Sequence, residues 1–220
     1  MIRLHSFWYS PYVAKVRKCL ELKGLAFEVV EVPYLDRREL CALTRGYIHV
    51  PVLEDGAKVV TDSARIAAYL DEAYAPSLRE DPVAVVVEQW AEGPLEDAAF
   101  RVAAPGMEDR FAGLQGGRED ARAIWRLMKE RRYGAGALDA WRRDADALGA
   151  LLEEALAPVV AVAARRPFFL GDAPTLADAA LYGQLFMLEA AVPGWLAARA
   201  PTLLPYVARV AEARAARRAT

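Results

Sequence analysis

The chain has 220 residues, 55% of them hydrophobic and 26% charged, with a formal net charge of -2. That length supports one large domain or two small ones with their own cores, and the near-neutral charge excludes a dedicated nucleic-acid surface or a polybasic membrane anchor. The two cysteines, Cys19 and Cys41, form neither a CxxC pair nor a metal pattern, and no apolar run or N-terminal leader reads as a membrane span or signal peptide. The expectation is a cytoplasmic protein without a metal.

Ile2, Leu4 and Ser6 alternate with Arg3 and His5, which predicts a strand running into the aromatic cluster Phe7-Trp8-Tyr9. Ser10-Pro11 then reads as an N-cap followed by proline at the first helical position. The helix it opens has Val13, Val16, Cys19 and Leu20 as its apolar stripe and stops at Gly24. Phe27 to Val32 reads as a second strand, and a short helix is expected from about Asp36 to Thr44. Val52-Leu53 and Val59-Val60 flank a charged turn containing Gly56, which predicts a hairpin. Pro51 at its mouth cannot donate a ladder hydrogen bond, leaving the backbone of Val50 free to pair with a ligand backbone. Asp62-Ser63 opens the next helix, whose unpaired amides and dipole would favour a carboxylate. A βαβαββα unit is thus complete by Pro76.

Ser77 to Pro82 is polar and bracketed by prolines, a predicted linker. No convincing strand follows. A helix starts at Val83 with Val86, Val87 and Trp90, kinked at Gly93-Pro94 and ended or broken at Pro105-Gly106. Glycines 113, 116 and 117 mark a loop before a helix from about Glu119 to Arg132, in which Lys129-Glu130-Arg131-Arg132 reads as a solvated face near the C-terminus. Leu138 to Ala164 is amphipathic, with Leu148, Leu151, Leu152 and Leu156 as its apolar rows and an interruption at Pro158. Phe168 to Asp172 reads as a buried turn. Thr175-Leu176-Ala177-Asp178 is a capping-box start to the most hydrophobic helix, to about Ala191, and a last helix is expected over Thr202 to Arg217.

Ser10-Pro11-Tyr12 with Lys15-Val16-Arg17, Val50-Pro51-Val52-Leu53, Asp62-Ser63, Gly171-Asp172 and Thr175-Leu176-Ala177-Asp178 together resemble a soluble glutathione transferase of the serine type. The resemblance covers essentially the whole chain. It implies an α/β plus all-α fold: a thioredoxin-like N-terminal domain over residues 1–76, a linker over 77–82, and an all-helical domain over 83–220. It also implies a homodimer, with glutathione as co-substrate and no nucleic-acid or membrane partner. Carried over, Pro51 would be a cis-proline and Val50 would pair its backbone with the cysteinyl residue of glutathione. Asp62 and Ser63 would hold the γ-glutamyl end, although Asp62 stands where Glu or Gln is usual. His49 would reach for the glycyl carboxylate. Thr175 and Asp178 match a structural capping box and carry no chemistry.

Conjugation needs glutathione as a thiolate, because the thiol is the weaker nucleophile and its free pKa is about 8.5. Lowering that value by about two units requires roughly 2.7 kcal/mol of preference for the charged form. A hydroxyl donor at a helix N-terminus can supply this, and Ser10 is placed for it, with Tyr9 as the rival donor. Because residue 10 is serine and residue 13 is valine, CxxC redox chemistry is excluded. A small hydrophobic electrophile is expected against Trp8, Tyr12, Trp90 and Phe100. The competing readings are a glutathione-dependent isomerase or dehalogenase on the same scaffold, and a binding or assembly module that has lost turnover.

Overall fold

The structure, a computed structural model, describes residues 1–114 and 118–214. Strand β1 (Ile2–Ser6) leads through Ser10 into α1 (Pro11–Leu22), then to β2 (Phe27–Glu31), α2 (Arg38–Thr44), β3 (Val52–Asp55), β4 (Lys58–Thr61) and α3 (Ser63–Ala73). The sheet order is β2-β1-β3-β4, with β1 parallel to β2 and β3 antiparallel to both β1 and β4. The parallel crossover needs α1, and the tight β3–β4 turn needs Gly56, whose φ is 59°. This is the thioredoxin-like arrangement, and only helices follow it among the described residues.

The helical part comprises α4 (Pro82–Trp90), a π-helical turn over Ala91–Leu95, α5 (Glu96–Leu114), α6 (Glu119–Tyr133), α7 (Ala137–Arg143), α8 (Ala145–Ala163), α9 (Leu176–Ala191), α10 (Trp195–Arg199), a 3-10 turn over Pro201–Leu203 and α11 (Leu204–Glu212). At its centre lies α9, where twelve of sixteen side chains are buried, so a helix with no polar face fits only there.

Several boundaries differ from the sequence expectation, each for a local reason. The short helix starts at Arg38 because Asp36 turns back to bind the Arg38 side chain and amide. The Gly93-Pro94 step is absorbed by the π-helical turn, which accommodates the missing amide of Pro94. Pro105-Gly106 neither ends nor breaks α5: a Cβ on Gly106 would lie 2.6 Å from the Ala191 carbonyl, so the glycine lets α5 close onto α9. Pro158 lies inside α8 without interrupting it, while the expected long helix divides at Asp144 instead. Leu151 faces solvent, outside the apolar rows of α8. Gly113 belongs to α5. The last helix ends at Glu212, where the Ala213 backbone turns extended, short of the expected end at Arg217, which lies outside the described residues together with the loop glycines 116 and 117.

Candidate functional site

Ser10 is the N-cap of α1, and its buried Oγ accepts from the Val13 amide at a long 3.4 Å. Its own O–H meets no acceptor among the described residues. The Val50–Pro51 peptide is cis, and Val50, buried, has neither its N–H nor its C=O in a hydrogen bond among the described residues. Ladder pairing with β1 begins only at Val52, opposite His5. A backbone amide and carbonyl without partners at the edge of a cleft can take an external strand-like ligand. Ser10, His49 and Val50 line one cleft of about 410 Å³ between the two domains, together with Phe7, Tyr9, Tyr12, Tyr34 and Arg37 on one wall. The other wall is Glu96 and Phe100 of α5, Met128, Lys129, Arg131, Arg132 and Tyr133 of α6, and Met187 of α9.

The cleft sorts the expected aromatics. Phe7 and Tyr9 stack with ring centroids 6.0 Å apart, so alternate residues after β1 face the cleft. Trp8, between them, lines a different cavity of about 340 Å³ with Ser6, Arg17 and Tyr182. Phe100 and Tyr12 line the cleft. Trp90 does not, because Glu96 and Phe100, one turn apart on α5, supply that wall in place of α4. Tyr12 donates to the Glu96 carboxylate. Burial is the main cause that raises the pKa of both groups, and the Arg132 and Lys129 charges act on Glu96 in the other direction. Tyr9 is pushed far above its ordinary value, chiefly by burial and then by Tyr34. A phenol so disfavoured as an anion is a wall of the cleft.

The segment Asp62-Ser63 lies at the start of α3 as expected, but its groups are already engaged. Asp62, held at φ 75°, caps α3: its Oδ1 accepts from the Ala64 and Arg65 amides at 3.0 and 3.1 Å. The amides expected to seat a ligand carboxylate are therefore taken by the side chain that precedes them, and Oδ2 is left over. The buried Ser63 hydroxyl donates to Glu92 at 3.1 Å. Glu92 in turn shares the ammonium of Lys15 with Glu88, each at 2.6 Å. This buried cluster ties α1, α3 and α4 together across the domains.

Sequence reasoning missed Tyr34, Arg37, Glu96, Lys129, Tyr133 and Met187. The run from Lys129 to Arg132, expected as a solvated face, carries the one available signal. Lys129 is instead partly buried, with Nζ 5.2 Å from the Phe100 ring centroid and 5.3 Å from that of Trp125. Among the described residues no group of His, Cys, Asp and Glu is placed to hold a metal, and no helix is long and apolar enough to cross a membrane.

A four-stranded thioredoxin-like sheet joined to a helical domain, with a cleft between them, defines a two-domain class of protein. The family models for the glutathione S-transferase N-terminal and C-terminal domains match residues 4–78 and 135–209, and the chain belongs to the glutathione S-transferase family. A probable glutathione S-transferase of Nicotiana tabacum is 36% identical over 85 residues, 37% of this chain and 38% of that protein. Glutathione S-transferase U10 of Arabidopsis thaliana is 28% identical over 131 residues, 58% of this chain and 56% of that one. The chain thus aligns with well under two thirds of the length of these relatives. Among solved structures, glutathione transferase GSTFuA3 of Phanerochaete chrysosporium superposes with a TM-score of 0.78 at 20% identity, covering 96% of each chain. The glutathione complex of a Ceriporiopsis subvermispora glutathione S-transferase does so with 0.71 at 20% identity, over 96% of this chain and 95% of that one. At such identities the superpositions bear on the fold alone.

Proposed function

We propose that this protein conjugates glutathione to a small hydrophobic electrophile, with Ser10 as the donor that holds the sulfur as a thiolate. The observation that carries the reading is the free backbone of Val50, beside a cis-proline and on the same cleft as a serine hydroxyl with an unused proton. Val50 would pair with the cysteinyl residue, setting its sulfur toward Ser10 at the N-terminus of α1, where the helix dipole adds to the hydroxyl. In the reaction the sulfur forms a bond to the electrophilic carbon, the leaving group departs with the bonding pair, and the thiol proton passes to solvent. Asp62 Oδ2 and the Ser63 hydroxyl would meet the γ-glutamyl end, and His49 the glycyl carboxylate. The proposed protein is a cytoplasmic homodimer, with domains at 1–76 and 83–220; Val83 and Val86, exposed on α4, offer apolar surface for pairing.

The test is ultraviolet titration of bound glutathione in the wild type and in Ser10→Ala. The expected result is a thiol pKa well below about 8.5 that returns toward it in the variant. Binding without any shift would remove the catalytic reading. One observation favours a second reading, a binding module without turnover: the Ser63 hydroxyl and the first amides of α3 are satisfied from within the protein. Failure of glutathione to bind would select it.

A further inference from the structure

The charged side chains lining the cleft are four cations, Arg37, Lys129, Arg131 and Arg132, against one carboxylate, Glu96. Part of this charge is already committed. Glu96 receives the Tyr12 hydroxyl, and Arg37 donates to the Tyr34 and Ile48 carbonyls while stacking over Phe7 and Tyr34 at 4.8 Å. Arg131 and Arg132 likewise have no hydrogen-bond or ion-pair partner among the described residues, but both are exposed to solvent, Arg132 lying over the Tyr133 ring at 5.0 Å. Lys129 is different. Its ammonium has no hydrogen-bond or ion-pair partner among the described residues, is partly buried, and rests between the faces of Phe100 and Trp125. Just beneath it, the fully buried Trp125 Nε1 also makes no hydrogen bond, although it stands near enough to the Tyr9 hydroxyl to bias its titration. Lys129, Trp125, Phe100, Tyr9 and Met187 line a recess of about 20 Å³, room for little more than one water, which shares Lys129, Phe100, Tyr9 and Met187 with the cleft where a ligand body would lie. An ammonium without an acceptor, set among flat aromatic and thioether surfaces, fits a ligand with an acceptor on an apolar body.

We propose that Lys129 anchors an anionic group on the second substrate, so that the cleft selects electrophiles carrying a carboxylate or similar anion on a flat apolar body over their neutral counterparts. The assignment rests on the glutathione reading above for the identity of the first substrate. Without a bound anion the Lys129 ammonium is destabilised, to a pKa of about 8, by burial first and then by Arg132 and Arg37. It is still mostly protonated at neutral pH, and a ligand anion would offset both causes. The cations that oppose it explain why an uncharged ligand gains less: the recess holds excess positive charge in a partly desolvated place.

The experiment uses the full chain and a matched pair of aryl chlorides, 4-chloro-3,5-dinitrobenzoate and its methyl ester. Rates with glutathione are divided by the uncatalysed rates. The wild type is expected to favour the benzoate, and Lys129→Gln to lower the benzoate-to-ester ratio of kcat/KM by about tenfold, the scale of one charge-assisted hydrogen bond. Lys129→Arg, which keeps the charge, is expected to restore most of the ratio. Binding of unreactive 3,5-dinitrobenzoate, measured by calorimetry without glutathione, should weaken by a similar factor in Lys129→Gln. A ratio unchanged in Lys129→Gln overturns the proposal, as does a parallel loss of glutathione affinity, which would make Lys129 part of the glutathione site. A wild type that binds glutathione but no dinitrobenzoate overturns it too. A wild type that binds dinitrobenzoate through Lys129 but no glutathione leaves the anion site standing and removes only the transferase reading.

Discussion

The carbonyl of Pro11 occupies the place where a side chain on Gly183 would stand: a Cβ there would lie 2.3 Å from that oxygen. This contact sets α9 against the first turn of α1, directly behind Ser10. Gly183→Ala gains about 0.5–1 kcal/mol from helix propensity, but the clash is with backbone and cannot be relieved by a rotamer. Overpacking of that kind costs about 1–3 kcal/mol, so the clash prevails. The variant should melt a few degrees lower in calorimetry and lose glutathione affinity together with stability, because Pro11 carries Ser10 with it. A variant as stable as the wild type would show that α1 is free to shift.

Among the described residues, Asp178 is the most heavily used acceptor in the helical domain. Fully buried, it accepts from the Phe169 amide at 2.7 Å, the Tyr206 hydroxyl at 2.8 Å and the Thr175 amide at 2.9 Å. One carboxylate thus fastens the Phe168–Asp172 turn, the start of α9 and α11. Asp178→Ala orphans these donors at about 1–3 kcal/mol each, a loss of about 3 kcal/mol or more out of a total stability of roughly 5–15. Asp178→Asn keeps one acceptor oxygen and should lose less. Urea unfolding measures both, and an alanine variant within about 1 kcal/mol of the wild type would contradict this role.

The order of strands and helices was legible because local signals agreed with one another: alternation in β1, Ser10-Pro11 at the head of α1, Gly56 in the hairpin and the Thr175–Asp178 box. Within the N-terminal half of the candidate site, the proline before β3 announces the unpaired backbone of Val50, whereas the residue before α3 misleads, because the Asp62 side chain takes the amides it was expected to leave open. What sequence could not show was facing. Trp8 and Trp90 turn away from the cleft, and Lys129 turns into it, because side-chain direction there depends on how α5 and α6 meet the sheet. Pro105 and Pro158 misled for a related reason: tertiary packing holds α5 and α8 through prolines that a lone helix would not tolerate.

His49 gives a direct reading of the charge in the cleft. Its pKa is lowered by burial first and then by Arg37 and Lys129. The folded imidazole therefore binds its proton less readily than the unfolded one, whose pKa is about 6.5, and this contribution to stability is lost as pH falls through the window just below that value. Proton NMR should find the His49 midpoint below about 6.5, and Lys129→Gln should move it upward. A midpoint unmoved by that substitution would place the Lys129 ammonium away from the cleft.

The Lys15–Glu88–Glu92 cluster sets one buried cation against two carboxylates, so one negative charge is left over between the domains. Glu92 carries the consequence: burial raises its pKa, Lys15 and the Ser63 hydroxyl draw it down, and Glu88 pushes it up again. Raised in the folded state relative to about 4.5 unfolded, the group binds more protons folded than unfolded across the window above that value. Its contribution to stability is present at low pH and is lost as pH rises through the folded pKa. Glu92→Gln keeps an acceptor for Ser63 and removes the titration, so its stability relative to the wild type should rise with pH across that window. A difference that is flat or falls with pH would mean that Glu92 is not the group bearing the excess charge. Lys15→Met tests the same balance from the other side, since it leaves both carboxylates buried without a counter-ion and should cost about 3–5 kcal/mol at neutral pH, with part of the loss recovered on acidification.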